Sequence, residues 1–84
     1  MNRDEMMRKA TGVFRDVFDD ERIVLTDSTT AEDIEDWDSL SHITLICEIE
    51  DAFDCKFSMK DVTSMKNVGE MLDILAKHKG AFGG

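Results

Sequence analysis

Eighty-four residues with nineteen Asp and Glu against ten Lys and Arg carry a formal net charge of −9, and a chain of this length makes one domain that buries roughly 60% of its unfolded surface. Hydrophobic residues form 42% of the chain, too many for a disordered sequence, but the domain leaves little space for a deep, water-excluding active site. The acidic surface repels phosphate backbones and anionic membranes, which argues against nucleic-acid and lipid-surface roles and favours partners with basic patches.

Residues 3–18 read as an amphipathic helix, because Met6, Met7, Ala10, Val13, Phe14, Val17 and Phe18 recur at spacings of three and four. Gly12 weakens it by about 1 kcal/mol relative to alanine. The stretch "DDERIVLTDSTTAEDIEDWD" follows without periodicity. Connections of that length are unusual in a compact domain and are often functional. Leu25, Ile34 and Trp37 are expected to pin it to the core.

Asp38 is a good N-cap, which starts a second helix at Ser39 and carries it to Phe53. On a helical projection Ile43, Ile46, Ile49 and Phe53 form its core stripe, with Leu45 on the flank. Ser41, Thr44, Glu48 and Asp51 cluster opposite, and Leu40 and Cys47 fall near the border. After "DAFDCKF" the pair Ser58 and Asp61 signals a short capped helix, with Val62 and Met65 as core contacts. The last helix opens on Asn67 and Glu70 and carries the stripe Val68, Met71, Leu72 and Leu75. Lys77, His78 and Lys79 near its end suit the helix dipole. "GAFGG" should fray, leaving 79–84 as a tail. The reading is an all-α four-helix bundle in one domain over 1–84, with three longer helices, a short third one and a long first loop.

No apolar run approaches the ~18 residues of a membrane span. "MNRDEMMRKA" lacks the apolar centre of a signal peptide, so a cytoplasmic location is expected. Cys47 and Cys55 match no metal or redox spacing and are read as reduced thiols. Placing Asp36 and Asp38 at the first and third positions of a calcium loop puts Ser41 where glycine is required and Cys47 where glutamate is required. No metal site is assigned. Hydrolase chemistry is also unsupported: there is no G-x-S-x-G, and His42 lacks an orienting acid. The protein is read as a non-enzyme.

Ser39 stands at the first helical position with its side chain toward solvent. A helix N-terminus offers unpaired N–H groups and a partial positive charge, so it accommodates a phosphate ester well. The long loop beside it leaves the hydroxyl accessible to a modifying enzyme.

"DWDSLSHITLICEIEDAF" resembles the modification site and second helix of acyl carrier proteins, whose signature is Asp-Ser-Leu followed by an aliphatic-periodic helix ending in Glu/Asp and Phe. The likeness extends over nearly the whole chain, with "MKNVGEMLDIL" as the closing helix. It implies that Ser39 carries 4′-phosphopantetheine, attached from coenzyme A by a phosphopantetheinyl transferase. The thiol of that arm would hold acyl groups as thioesters for enzymes of fatty acid, polyketide or related acyl-chain synthesis. Asp38 would cap the helix and help bind the metal ion at the transferase. Leu45, Ile46, Ile49, Val62, Met65 and Leu72 would wall an acyl-chain cavity.

The partner-facing patch would be Leu40, Ser41, Thr44, Cys47, Glu48 and Asp51, extended by Phe57 and Met59. It would dock acyl ligases, synthases and transferases with basic patches onto a monomeric carrier. Ser41 and Thr44 stand where carriers of central fatty-acid synthesis place acids, and Trp37 replaces a small or aliphatic residue. Both departures fit a stand-alone carrier of a specialised pathway. An acidic helical adaptor without prosthetic group and an aminoacyl or peptidyl carrier are the alternatives. Asp rather than His before the serine favours acyl cargo.

Overall fold

The computed structural model describes residues 2–78, with His78 in its backbone alone. Among them the chain forms four helices and no strand: α1 (Arg3–Phe18), α2 (Ser39–Phe53), α3 (Met59–Ser64) and α4 (Val68–His78). A 3₁₀ turn at Ala31–Asp33 interrupts the long first loop. The expectations for the His78 side chain and for 79–84 lie outside the described residues.

Each helix start follows from a side chain that satisfies orphan backbone donors. Asn2 Oδ1 accepts the Glu5 N–H at 2.8 Å to open α1. Ser58 and Asp61 exchange hydrogen bonds around the start of α3. At α4, Asn67 Oδ1 accepts the Glu70 N–H at 2.8 Å, but the Glu70 carboxylate reaches the Lys66 N–H, one residue before the cap. Both α1 and α2 end on an aspartate with positive φ, 51° at Asp19 and 53° at Asp54. Aspartate enters that region more readily than most side chains.

The core assembles from one face of each long helix. Met6, Ala10, Phe14 and Phe18 of α1 meet Leu45, Ile46, Ile49 and Phe53 of α2. Val68, Met71, Leu72 and Leu75 of α4 complete it, and all four are fully buried. Val62 and Met65 pack half-buried against this cluster. Along α2 the stripe differs from the expected one. Ile43 is 57% exposed, whereas Leu45 is 0% exposed and central. The stripe that keeps helical spacing through Leu45, Ile46, Ile49 and Phe53 passes through His42, and Ile43 lies roughly 100° round the helix from its centre. Half-buried His42 therefore takes the place assigned to Ile43.

The long loop is held by more than apolar pins. Ile23, Leu25 and Trp37 are buried and Ile34 packs half-buried, while Val24 between the first two points outward. The carbonyls of Asp27 and Thr29 accept the N–H groups of Gly69 and Val68, both at 2.9 Å. The loop thus supplies acceptors to the first turn of α4. Arg3 closes the same corner by donating to Asp73 at 2.8 Å and to the Gly69 carbonyl at 3.1 Å. The Asp73 carboxylate, chiefly through its hydrogen bond, and the Asp27 carboxylate at 3.3 Å hold the Arg3 guanidinium above its ordinary range.

That close approach explains Gly69. A Cβ there would lie 2.9 Å from the Asp27 carbonyl oxygen and 3.0 Å from the Asp27 Cβ. Relief requires pulling the loop off α4. Gly69→Ala is expected to lower the melting temperature by roughly 5–20 °C, the range for overpacking in a domain of this size. Gly12→Ala is the control, since nothing lies within 4 Å of a Cβ added there; a thermal melt by circular dichroism checks both.

Candidate functional site

The start of α2 is held by a dense set of hydrogen bonds. Asp38 Oδ1 accepts the N–H groups of Leu40 and Ser41 at 3.0 and 2.9 Å. In return the Ser41 hydroxyl accepts the Asp38 N–H at 2.8 Å and donates to the Asp36 carbonyl at 2.7 Å. The two side chains form a reciprocal cap that fixes where the helix begins. Ser41 was expected on a partner-facing surface, and its hydroxyl is instead engaged in this cap. The backbone N–H of Ser41 is the main influence that holds the Asp38 carboxyl below the usual carboxylate range, with help from the Ser41 hydroxyl and the Leu40 N–H.

A depressed folded pKa adds stability that is present at neutral pH and disappears as pH falls through it. Asp38→Asn keeps an acceptor oxygen but carries no charge. The gap in melting temperature between the wild type and this variant is therefore expected to shrink as pH drops from 7 to below about 4. A gap that stays constant across that range would separate the cap from its charge.

Ser39 sits inside the cap without taking part in it. Its side chain is exposed, and among the described residues no group is hydrogen-bonded to its hydroxyl. A groove of about 360 Å³ opens beside it, lined by Trp37, Asp38, Ser39, His42, Met65 and Asn67, with Lys66 at its edge. Trp37 forms the wall toward the core. Its ring meets Phe14 edge-on at a centroid distance of 5.1 Å, and its indole N–H donates to His42 Nδ1 at 3.0 Å. An indole nitrogen only donates, so the proton of the His42 ring resides on Nε2. Nε2 faces the Val62 carbonyl at 3.3 Å.

Of the other residues singled out from the sequence, Leu40 is 82% exposed and Met59 78% exposed. Thr44, Cys47, Glu48 and Asp51 are exposed along α2, and Phe57 is half-buried with its N–H on the Glu50 carboxylate at 2.7 Å. Leu45, Ile46, Ile49 and Leu72 lie in the packed core, with Val62 and Met65 at its margin. Sequence reasoning missed the Trp37–His42–Val62 chain. Its signal was present: a histidine in register with an apolar stripe, five positions after the sole tryptophan.

A small helical bundle that holds one unengaged serine outward at the start of a firmly capped helix, with no base against it among the described residues, suits a class of protein that is modified and carries what is attached. The comparisons with known proteins give that class its name. Residues 8–75 match the family described as "Phosphopantetheine attachment site". An acyl carrier protein of Borreliella burgdorferi strain ZS7 is 31% identical over 81 residues, which cover 95% of this chain and 100% of that protein. One of Syntrophobacter fumaroxidans is 32% identical over 62 residues, 74% of this chain and 75% of that protein. The solution NMR structure of a holo acyl carrier protein from Geobacter metallireducens superposes with a TM-score of 0.83 at 43% identity, covering 89% of this chain and 86% of that one.

The chain belongs to the acyl carrier proteins, and its prosthetic group is a covalently attached 4′-phosphopantetheine. Such proteins carry and do not catalyse. The residues around Ser39 fit that group. Ser39 presents an exposed hydroxyl at the positive end of α2, where a phosphate ester is well accommodated. Asn67 and Lys66 offer donors in the adjoining groove. Among the described residues no helix is long and apolar enough to cross a membrane.

Proposed function

We propose that Ser39 is the attachment point and that the protein carries acyl groups for enzymes of fatty acid, polyketide or related acyl-chain synthesis. One observation carries this reading: of the two serines at the start of α2, Ser41 has its hydroxyl tied into the cap and Ser39 does not. When attached, the group supplies a thiol on a long arm, to which an acyl group is esterified. Ser39 Oγ would bond to the pantetheine-side phosphorus of coenzyme A. Adenosine 3′,5′-bisphosphate leaves with the electrons of the broken P–O bond, and the serine proton passes to the transferase. Asp38 contributes a rigid helix start and, beside it, a carboxylate within reach of a transferase-bound metal ion.

The docking surface follows from the exposed side of α2 and the start of α3. Leu40 and Met59 are large apolar side chains left almost fully exposed. Thr44, Cys47, Glu48 and Asp51 are exposed on the same side of α2 as Leu40 and make it mildly acidic. Apolar anchors on a mildly acidic face suit enzymes whose docking sites are apolar with basic edges. Ser41 drops out of the docking set, because its hydroxyl is used internally.

The test is direct. The protein is incubated with coenzyme A, magnesium and a broad-specificity phosphopantetheinyl transferase and then weighed intact. A single phosphopantetheine adduct is expected. A wild type that stays unmodified with several transferases would instead favour an acidic adaptor.

A further inference from the structure

α3 is the most weakly held helix. It has six residues and none of them is buried. Its apolar contacts to the core come from Val62 and, just past its end, Met65, both only half-buried. Elements with few buried contacts are the first to open, so whatever ties α3 to the bundle governs access to the core beneath. The His42 Nε2–H to Val62 carbonyl bond ties α2 to α3 at this place. The Trp37 N–H grips the other ring nitrogen, and Trp37 is itself wedged against Phe14 and Phe18. A donor buried in the wall and a ring bonded at both nitrogens thus close the inner end of the groove beside Ser39.

We propose that this Trp37–His42–Val62 chain is a polar gate that keeps the acyl cargo out of the core and so adapts the protein to short or polar acyl groups. The proposal rests on Ser39 being the attachment point. An apolar chain tethered there has the groove as its nearest shelter, and beyond the groove lies the apolar interior. To enter, it must part α3 from α2 and break the His42–Val62 bond, which leaves the His42 Nε2–H without a partner while the Trp37 N–H still holds the ring across the path. It must also displace side chains already fully packed, since Leu45, Ile49 and Leu72 have no exposed surface. Each added methylene favours entry, but the unpaired donor and the lost packing oppose it. Asp38, His42 and Asn67 place polar groups in the groove that can hydrogen-bond the amides of the arm, beside the apolar surfaces of Trp37 and Met65.

The gate is tested in two steps. In the unmodified protein the Trp37 indole proton is expected to exchange with solvent at least ~10-fold more slowly than in His42→Val. Equal rates would remove the latch and overturn the proposal. The protein is then loaded by the transferase from butanoyl-, octanoyl- and dodecanoyl-coenzyme A, so that it carries the acyl-phosphopantetheine arm, and melted. In the wild type the melting temperature should not change with chain length. In Trp37→Phe/His42→Val it should rise by ~5 °C or more from butanoyl to dodecanoyl, as the chain enters and stabilises the folded state. The double substitution replaces both latch partners by apolar groups, so it leaves no stranded donor and is expected to fold. A wild type already stabilised by the longer chains would overturn the gate alone. Failure of the wild type to gain mass on loading would overturn the attachment at Ser39 and the gate with it.

Discussion

Ser39→Ala is expected to abolish the phosphopantetheine adduct while leaving the melting temperature within about 2 °C of the wild type. The loss is total because the oxygen that would bond to phosphorus is gone. The fold is spared because that oxygen holds nothing: no described group is bonded to it, and the cap is made by Asp38 and Ser41. Alanine is also a good residue in the first helical turn. Ser41→Ala should give the opposite pattern. It removes the acceptor of the Asp38 N–H and the donor to the Asp36 carbonyl, so it is expected to melt lower by roughly 4–8 °C yet still take the adduct. Intact mass together with a thermal melt reads both. An adduct that persists in Ser39→Ala and vanishes in Ser41→Ala would reassign the site.

Phe14→Ala is expected to have the largest effect on stability. Phe14 is fully buried and contacts both Phe18 and Trp37, at centroid distances of 6.0 and 5.1 Å. Truncating a buried phenylalanine costs about 3–5 kcal/mol, against a total of about 5–15 kcal/mol for a small domain. The melting temperature should fall by roughly 12–40 °C. The wall behind the groove should loosen first, because Trp37 loses the ring it packs on edge-to-face. Tryptophan emission shifted to the red at a temperature where the helical signal persists would be the mark of that loosening. A melt within a few degrees of the wild type would mean that the α1–α2 seam can close over the cavity.

Much of this architecture was legible in the sequence because the signals were local. The α1 stripe, the Ser58–Asp61 box and the four apolar positions of α4 each depend on residues within a turn or two of each other. The exposed position of Ser39 at the start of α2 was legible too, through its place between a cap residue and an aliphatic helix. Errors arose where a polar residue does an apolar residue's job. His42 lies in the core stripe because Trp37 and the Val62 carbonyl satisfy its nitrogens; hydropathy alone favours Ile43 there. The loop was opaque for another reason. Its bonds to α4 are made by backbone carbonyls of Asp27 and Thr29, and a carbonyl leaves no mark in the identity of its residue. Ile23 and Leu25 turn inward while Val24 faces out, an alternation too short to read as a pattern.

Trp37 is the single tryptophan of a chain that has no tyrosine. Near-ultraviolet excitation at the red edge therefore reports from one indole, in the same groove wall as Ser39 and in contact with His42. The protein carries its own optical label, and the kinetics of arm attachment or enzyme docking can be followed by stopped-flow emission without adding a dye.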